Sequence, residues 1–402
     1  MYAHRTAKLP VPVHIPQGNS HKVTAVIKLK RPLFYLYGGA AAVLALLLLI
    51  RGDAAAQGVR DGIDLCVTSV IPALFPFFAA SQLLVSLGAA EVLGRAAGPL
   101  FRRLFGMDGA GAAAYLLGLI GGYPLGAKTA ESLVRQGLLT PEDGALLLTF
   151  CNNAGPAFIL GIAGSGVFRS SRAGVWLYLI HAAAATATGL LFCFIRKYIR
   201  KQNISGFFRF SASSCNSPSA TAQKRPPLSA PAALIGAVRG GVAAMAGVCG
   251  FVIFFLVLLR LAESFLGPLP PLAAGLVELT NGILRLAPDR GGFVLAAALL
   301  GWGGLSVHCQ TMSVLEGSGL SIRPCLIGKF LHGALSAALT ALALKLWPQA
   351  IAASDLLSSP LELHTLPRLA LGVGLFGCGL IALVFLGGKS ENRAGNRNGN
   401  KL

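Results

Sequence analysis

Cys151-Asn152-Asn153-Ala154-Gly155-Pro156 is the string best equipped for binding chemistry. It lies in a charge-free apolar run, Gly144 to Phe168, read as a helix. Asn152 falls about eight residues into that run, so ~12 Å along it at ~1.5 Å per residue. That depth is close to the middle of a ~30 Å hydrocarbon core. Adjacent amides point about 100° apart on a helix, so at least one of the two asparagines must face protein or water. Gly155-Pro156 then frees carbonyls near residues 152–153, because proline has no amide proton. Amide donors, amide acceptors and loose carbonyls together suit a polar solute, a nucleobase or a cation. The plainer alternative is hydrogen bonding between neighbouring helices.

A second group of polar residues follows a glycine break. Gly121-Gly122-Tyr123-Pro124-Leu125-Gly126-Ala127-Lys128-Thr129 is echoed by Gly303-Gly304-Leu305-Ser306-Val307-His308-Cys309-Gln310-Thr311. The offset of 182 residues also relates Leu133 to Leu315 and Gly137-Leu138 to Gly319-Leu320. Val59-Arg60 and Val238-Arg239 open two further segments that match at a slightly shorter offset. Helices broken inside apolar segments, found once in each half, mark the binding region of transporter folds built from repeats. A continuous lipid-facing helix through Gly121, Gly122 and Pro124, or through Gly303 and Gly304, would expose unpaired backbone groups. Each half is therefore expected to contain a re-entrant hairpin buried in protein, preceded by a long helix and an amphipathic connector (Glu91–Phe105; Leu269–Leu286) and followed by another long helix.

Lys128 and Glu131 stand three residues apart and are placed to pair on one helical face. His308 and Gln310 lie in an apolar stretch whose formal charge is Glu316 alone, so they need partners or a solute. The solute-binding candidates are Asn152, Asn153, Gly155, Pro156, Lys128, Thr129, His308, Gln310 and Thr311. Asn152 and Asn153 align with Ala334 and Leu335, so the halves share a backbone pattern and differ in chemistry. His181 and His332 read as satisfied core histidines. Glu142-Asp143 reads as acidic charge at a helix start.

These residues need a membrane scaffold. The chain is 54% hydrophobic and 12% charged, against about 25% charged in a soluble domain. Mean hydropathy is +0.68. The fold class expected is an all-α integral membrane protein, polytopic, with two transporter-like repeats. Spanning helices are expected near 33–50, 63–88, 144–168, 173–195, 233–261, 324–346 and 368–387. The formal charge of +19 sits mostly in flanking segments, which reads as positive-inside topology rather than nucleic-acid binding. The eight cysteines include no C-x-x-C pair, so neither a disulfide framework nor a metal site is expected. No Walker A loop, H-E-x-x-H or G-x-S-x-G elbow is present, so no enzyme, catalytic residue or cofactor is expected.

The organisation expected is a disordered basic leader (1–32), a retained first membrane helix with its loop (33–58), and a first repeat with the following helix (59–195). A basic polar linker (196–231), a second repeat (232–347) and a last helix with a basic tail (348–402) complete it. With the amino terminus inside, Arg102-Arg103 and the basic linker also fall inside. An inverted second repeat would put the basic tail outside, against that rule; the inverted repeat is the reading adopted.

Gly121 to Lys128, with Cys151 to Pro156, closely resembles the sporulation integral membrane protein YlbJ family. Gly304-Leu305-Ser306-Val307-His308-Cys309-Gln310 is similar to that family's second-half block. The resemblance covers roughly residues 35–387, and the family belongs with the nucleoside-recognition Gate domains. It implies a multi-pass protein in the membrane of a sporulating cell, concerned with forming the spore cortex, and supplies no substrate. The leader and the Ser-rich linker depart from the pattern. The partners expected are the lipid bilayer, a small polar solute, a coupling ion and, compatibly, a second copy of the chain. Alternatives are a non-transporting scaffold for cortex assembly, a solute transporter unrelated to sporulation, and a channel gated by a GTPase partner.

Overall fold

The computed structural model describes residues 35, 37–107, 109–201 and 230–347. The expected leader, most of the central linker (202–229) and the span near 368–387 lie outside the described residues; the described ends of that linker, 196–201 and 230–231, are helical. The described chain is helical, with no strand in it. Among the described residues, five helices are long and apolar enough to cross a membrane: Gly52–Leu84, Ser171–Tyr198, Pro231–Leu266, Arg290–Leu315 and Arg323–Leu346. The protein is a multi-pass membrane protein.

Helix α1, Tyr37–Ile50, is a short apolar helix in a unit of its own. The main unit begins with α2 (Gly52–Leu65), which passes through a π-helical turn (Cys66–Val70) into α3 (Ile71–Ser86). Pro72 and Pro76 follow closely, and each removes a helical N–H, so the widened turn falls where the normal ladder loses donors. The partner of this long element is α9 (Ala230–Leu266). Gly58 meets Val257, Gly62 meets Ile253, and Ala79 meets Gly241. Contact residues rise along one helix as they fall along the other, so the two run antiparallel.

In the first half, α4 (Ala89–Phe105) leads to α5 (Gly109–Gly121), then α6 (Leu125–Arg135). The break falls at the predicted glycines, with Gly122 at φ +78°, a value that costs any other L-residue dearly. Helices α5 and α6 fold back side by side, with Gly118 facing Gly126. The next segments are α7 (Pro141–Leu148), a π-helical stretch (Ala157–Val167) and α8 (Ser171–Lys201). Thr140 caps α7 by accepting from the Asp143 N–H at 3.1 Å. The acidic helix start read from Glu142-Asp143 is therefore found.

In the second half, short α10 (Pro271–Val277) and α11 (Leu279–Leu284) occupy the connector. Helices α12 (Arg290–Trp302) and α13 (Gly304–Leu315) follow, then α14 (Arg323–Leu346). Gly303 and Gly304 take φ of +93° and +81°, so the chain breaks at the second predicted pair too.

Two differences from the sequence reading have physical causes. The segment 144–168 is not one helix: α7 stops at Leu148, residues 152–155 are non-helical, and a π-helical stretch starts at Ala157. Pro156 cannot donate to a helical ladder, and the Thr149 hydroxyl already bonds the Leu146 carbonyl. The second break also differs from the first. Helices α12 and α13 together form one candidate span of 26 residues. They do not lie side by side as α5 and α6 do. Instead α12 packs on α14, with Gly301 against Gly333.

Three apolar clusters hold these parts. One joins the π-helical turn and α3 to α9 through Val70, Phe78, Val248 and Val252. A second places Phe101, Phe105, Tyr115 and Phe150 together, with the Phe105 and Phe150 rings stacked at 4.9 Å. The third packs the π-helical stretch and α8 on α11 and α12. The non-helical residues 152–155 lie in the chain between Phe150 and Phe158, which belong to the second and third clusters.

Candidate functional site

The broken segment sits in a buried network of asparagine, threonine, lysine and histidine side chains. Asn152 and Asn153 are fully buried. The Asn152 side-chain amide donates to the Thr311 hydroxyl at 2.8 Å, across the two halves. The Asn153 amide donates to the Phe150 carbonyl at 2.9 Å. The side-chain oxygens of both asparagines have no hydrogen-bond partner among the described residues. Thr311 passes its own proton to the Val307 carbonyl, so its oxygen is free to accept from Asn152.

Lys329, on α14, stands beneath this segment and is 1% exposed. Its ammonium donates to the Asn152 backbone carbonyl at 3.1 Å and lies 3.1 Å from His332 Nδ1. It also sits 5.1 Å from the centre of the Tyr123 ring, within cation–π range. No carboxylate pairs with Lys329 among the described residues. A buried lone ammonium is costly, so it must be held by hydrogen bonds and ring faces.

The histidine tautomers follow from their partners. His332 Nε2 lies 2.9 Å from the His181 carbonyl, which can only accept, so Nε2 carries the proton and Nδ1 accepts from Lys329. The Ala154 N–H donates to His181 Nε2 at 3.1 Å, so the His181 proton is on Nδ1. The two rings lie 4.4 Å apart. His332 is a satisfied buried histidine, as read from the sequence; His181 is buried as well, but its Nδ1 has no hydrogen-bond partner among the described residues, which departs from that reading. Both belong to the network around the break.

The remaining candidates are placed differently. Gln310 is 5% exposed and lines two cavities. The larger, about 350 Å³, is bounded by Pro124, Lys128, Glu131, Gly247, Gln310 and Ser313. The smaller, about 40 Å³, touches Gly122, Tyr123, Gly155, Glu278, Thr280 and Gln310. Lys128 is exposed and does not pair with Glu131 as expected; Glu131 pairs with Arg135 at 3.4 Å. Both stand on α6, where Glu131 turns toward Arg135 one helical turn on and Lys128 is left exposed at the cavity wall. The Thr129 hydroxyl bonds back to the Leu125 carbonyl at 2.8 Å. His308 packs edge-on against Trp302 at 4.4 Å, and neither of its ring nitrogens has a hydrogen-bond partner among the described residues. Gly155 and Pro156 shape the break, and Gly155 reaches the small cavity.

With this geometry in view, comparisons with known proteins add a frame. Residues 67–195 match the Gate family, described as nucleoside recognition. That stretch contains Gly121-Gly122, the Asn152 break and His181; Thr311, Lys329 and His332 reach the site from beyond it. The chain is also similar to the sporulation integral membrane protein YlbJ of Bacillus subtilis (strain 168). The two are 26% identical over 318 residues, which is 71% of this chain and 76% of the relative. The resemblance carried by the motifs is thus seen over most of the chain. No solved structure matches it.

Lys329, Glu278 and Tyr123 were not singled out from the sequence. A signal existed for Lys329. Lys329, His332, Ser336 and Thr340 are spaced three, four and four residues apart along α14, which places them on one face. All four are buried. A polar stripe of that kind, inside an apolar span, marks a face turned to protein.

Proposed function

We propose that this protein acts in sporulation as a transporter-like, non-enzymatic membrane protein that holds a small polar solute between its two halves. The sporulation role is inferred from the similarity to the YlbJ protein. The recognition of a polar solute is inferred from the Gate match together with the site chemistry.

One observation carries the mechanism: α13 serves two surfaces at once. Its Gln310 lines the 350 Å³ cavity, while its neighbour Thr311 accepts from Asn152 at the first-half break. A solute bonding Gln310 would therefore pull on the contact that joins the halves. The cavity is at the small end of the roughly 300–1,000 Å³ range of ligand pockets, so it suits a metabolite of modest size. The antiparallel pairing of α2–α3 with α9 supports an inverted relation of the halves, in which one rocks against the other.

The test is replacement of Asn152 and Asn153 by Leu in the full chain. Uptake of a panel of nucleosides and small metabolites into vesicles would be read beside spore formation. Insertion should persist while both functions fail. Normal spore formation in the double variant would reject the site.

A further inference from the structure

The 40 Å³ cavity is too small for an organic solute. A water needs roughly 10–15 Å³ on this measure, so the space suits a few waters or one small ion. Its chemistry is carried by Glu278, which is 2% exposed. The carboxylate accepts from the Thr280 N–H at 3.1 Å and the Asn281 N–H at 2.7 Å. No lysine, arginine or histidine pairs with it among the described residues. Burial pushes the carboxyl above its ordinary pKa, and the backbone N–H groups work against that rise.

The neighbours do not supply the missing positive charge. Cys66 is the nearby titratable group that feels the Glu278 charge, and Tyr123 shares the cavity wall. Gln310 faces Glu278 across the same space. Its amide nitrogen lies 3.4 Å from the Ser306 hydroxyl. Thr280 adds a hydroxyl to the lining.

A buried carboxylate without a cationic side chain is costly unless a positive charge joins it. Oxygen donors favour hard cations over soft ones. A calcium or magnesium ion usually collects several carboxylates or keeps ordered waters, whereas one carboxylate neutralises one charge. No group of three His, Cys, Asp or Glu side chains able to hold a metal ion occurs among the described residues.

We propose that Glu278, Gln310 and Thr280 form a binding site for a single alkali cation of sodium size. This rests on the transporter-like reading above and deepens it by naming a coupling ion. Gln310 borders both cavities, so an ion held by its oxygen would fix the side chain that greets the solute. Ion and solute would then favour one another's binding.

The experiment uses the purified full-length chain in detergent, with no solute added. Sodium chloride is titrated against choline chloride at constant ionic strength, and both the thermal midpoint and radioactive sodium binding are read. In the wild type, sodium should raise the midpoint saturably and choline should not. Glu278→Gln keeps an oxygen for one of the Thr280 and Asn281 N–H groups and sets its NH2 against the other, and should lose the sodium response. Gln310→Leu should weaken sodium binding by about tenfold, or ~1.4 kcal/mol. Gly250→Ala, at a position with open space that borders neither cavity, should retain it. Absence of saturable sodium binding in the wild type overturns the proposal. So does a sodium response that survives in Glu278→Gln. A midpoint that follows pH but not sodium overturns it as well, since the carboxyl would then be neutralised by a proton. Should Glu278→Gln not fold, wild-type binding and Gln310→Leu still decide the matter.

Discussion

Lys329 and Asn152 meet at 3.1 Å, the ammonium of one half donating to a backbone carbonyl of the other across 177 residues of sequence. The carbonyl is available because the chain leaves the helix after Leu148 and Pro156 cannot restore the ladder. The ammonium tolerates burial because His332 and the Tyr123 ring share its charge. A helix break and a buried cation thus solve each other's problem.

Lys329→Met should separate folding from function. Replacing an unpaired buried ammonium by an apolar side chain of similar length removes a desolvation cost of roughly several kcal/mol. Against that stand two orphaned acceptors, the Asn152 carbonyl and His332 Nδ1, at ~1–3 kcal/mol each. The terms nearly cancel, so the thermal midpoint in detergent should move little. Spore formation should fall at least tenfold. Wild-type sporulation with Met at this position would mean that the ammonium has no working role.

Asn152 and Thr311 should be coupled energetically. Their bond spans the two halves and is buried. Asn152→Ala and Thr311→Val, singly and together, form a double-mutant cycle. The coupling expected is about 1 kcal/mol, the net value of a buried neutral hydrogen bond. Chemical denaturation in detergent micelles measures it. A cycle that closes to within experimental error would mean that the two residues act independently.

The sequence made the all-helical membrane class legible because apolar runs and glycine breaks are local signals. Asn152 and Asn153 could be picked out because amides are conspicuous at mid-run. The break of 144–168 into α7 and a π-helical stretch was not legible, since Gly155-Pro156 within an apolar run is compatible with a kink or with a full stop. What decides is tertiary: Phe150 and Phe158 are claimed by different clusters. Lys329 was passed over because one lysine near a helix start looks like a flanking charge. Only its spacing with His332, Ser336 and Thr340 shows that it faces inward. Glu278 lies in a connector whose amphipathic pattern says nothing about a cavity. The place of Lys128 could not be read because Glu131 turns to Arg135 instead.

Glu263 should be a stability residue rather than a site residue. Its carboxylate receives Arg260 at 3.0 Å, Arg285, and the Leu269 N–H at 3.2 Å. It thereby ties the end of α9 to α11. The arginine side chains are 38% and 23% exposed, so a full buried-pair penalty of ~3–5 kcal/mol must be discounted for solvent. Glu263→Gln should cost ~1–3 kcal/mol in detergent, and less at high salt. Asp61→Asn, which loses one partner, Arg260, should cost less. Equal losses in the two variants would place the strength of this corner elsewhere.

Gly118 and Gly126 should be the least replaceable residues of the first hairpin. Both press on one atom, the Cys151 carbonyl oxygen, just before Asn152. A Cβ at Gly118 would lie 1.9 Å from that oxygen, and one at Gly126 2.0 Å from it. Neither position is limited by φ, so the constraint is space alone. Gly250 has nothing within 4 Å of its added Cβ, and there alanine should gain up to ~1 kcal/mol in helix propensity. Gly118→Ala and Gly126→Ala should each lose about 3 kcal/mol or more, at or above the usual overpacking range. Because both push the same carbonyl, the double variant should lose less than the sum. The chain has to move at Cys151 to admit either methyl, and that movement carries the Asn152 carbonyl away from Lys329. Function should therefore drop in both single variants even at temperatures where they stay folded, while Gly250→Ala keeps it. Thermal midpoints and spore counts measured on the same set decide between loss of folding and loss of this register.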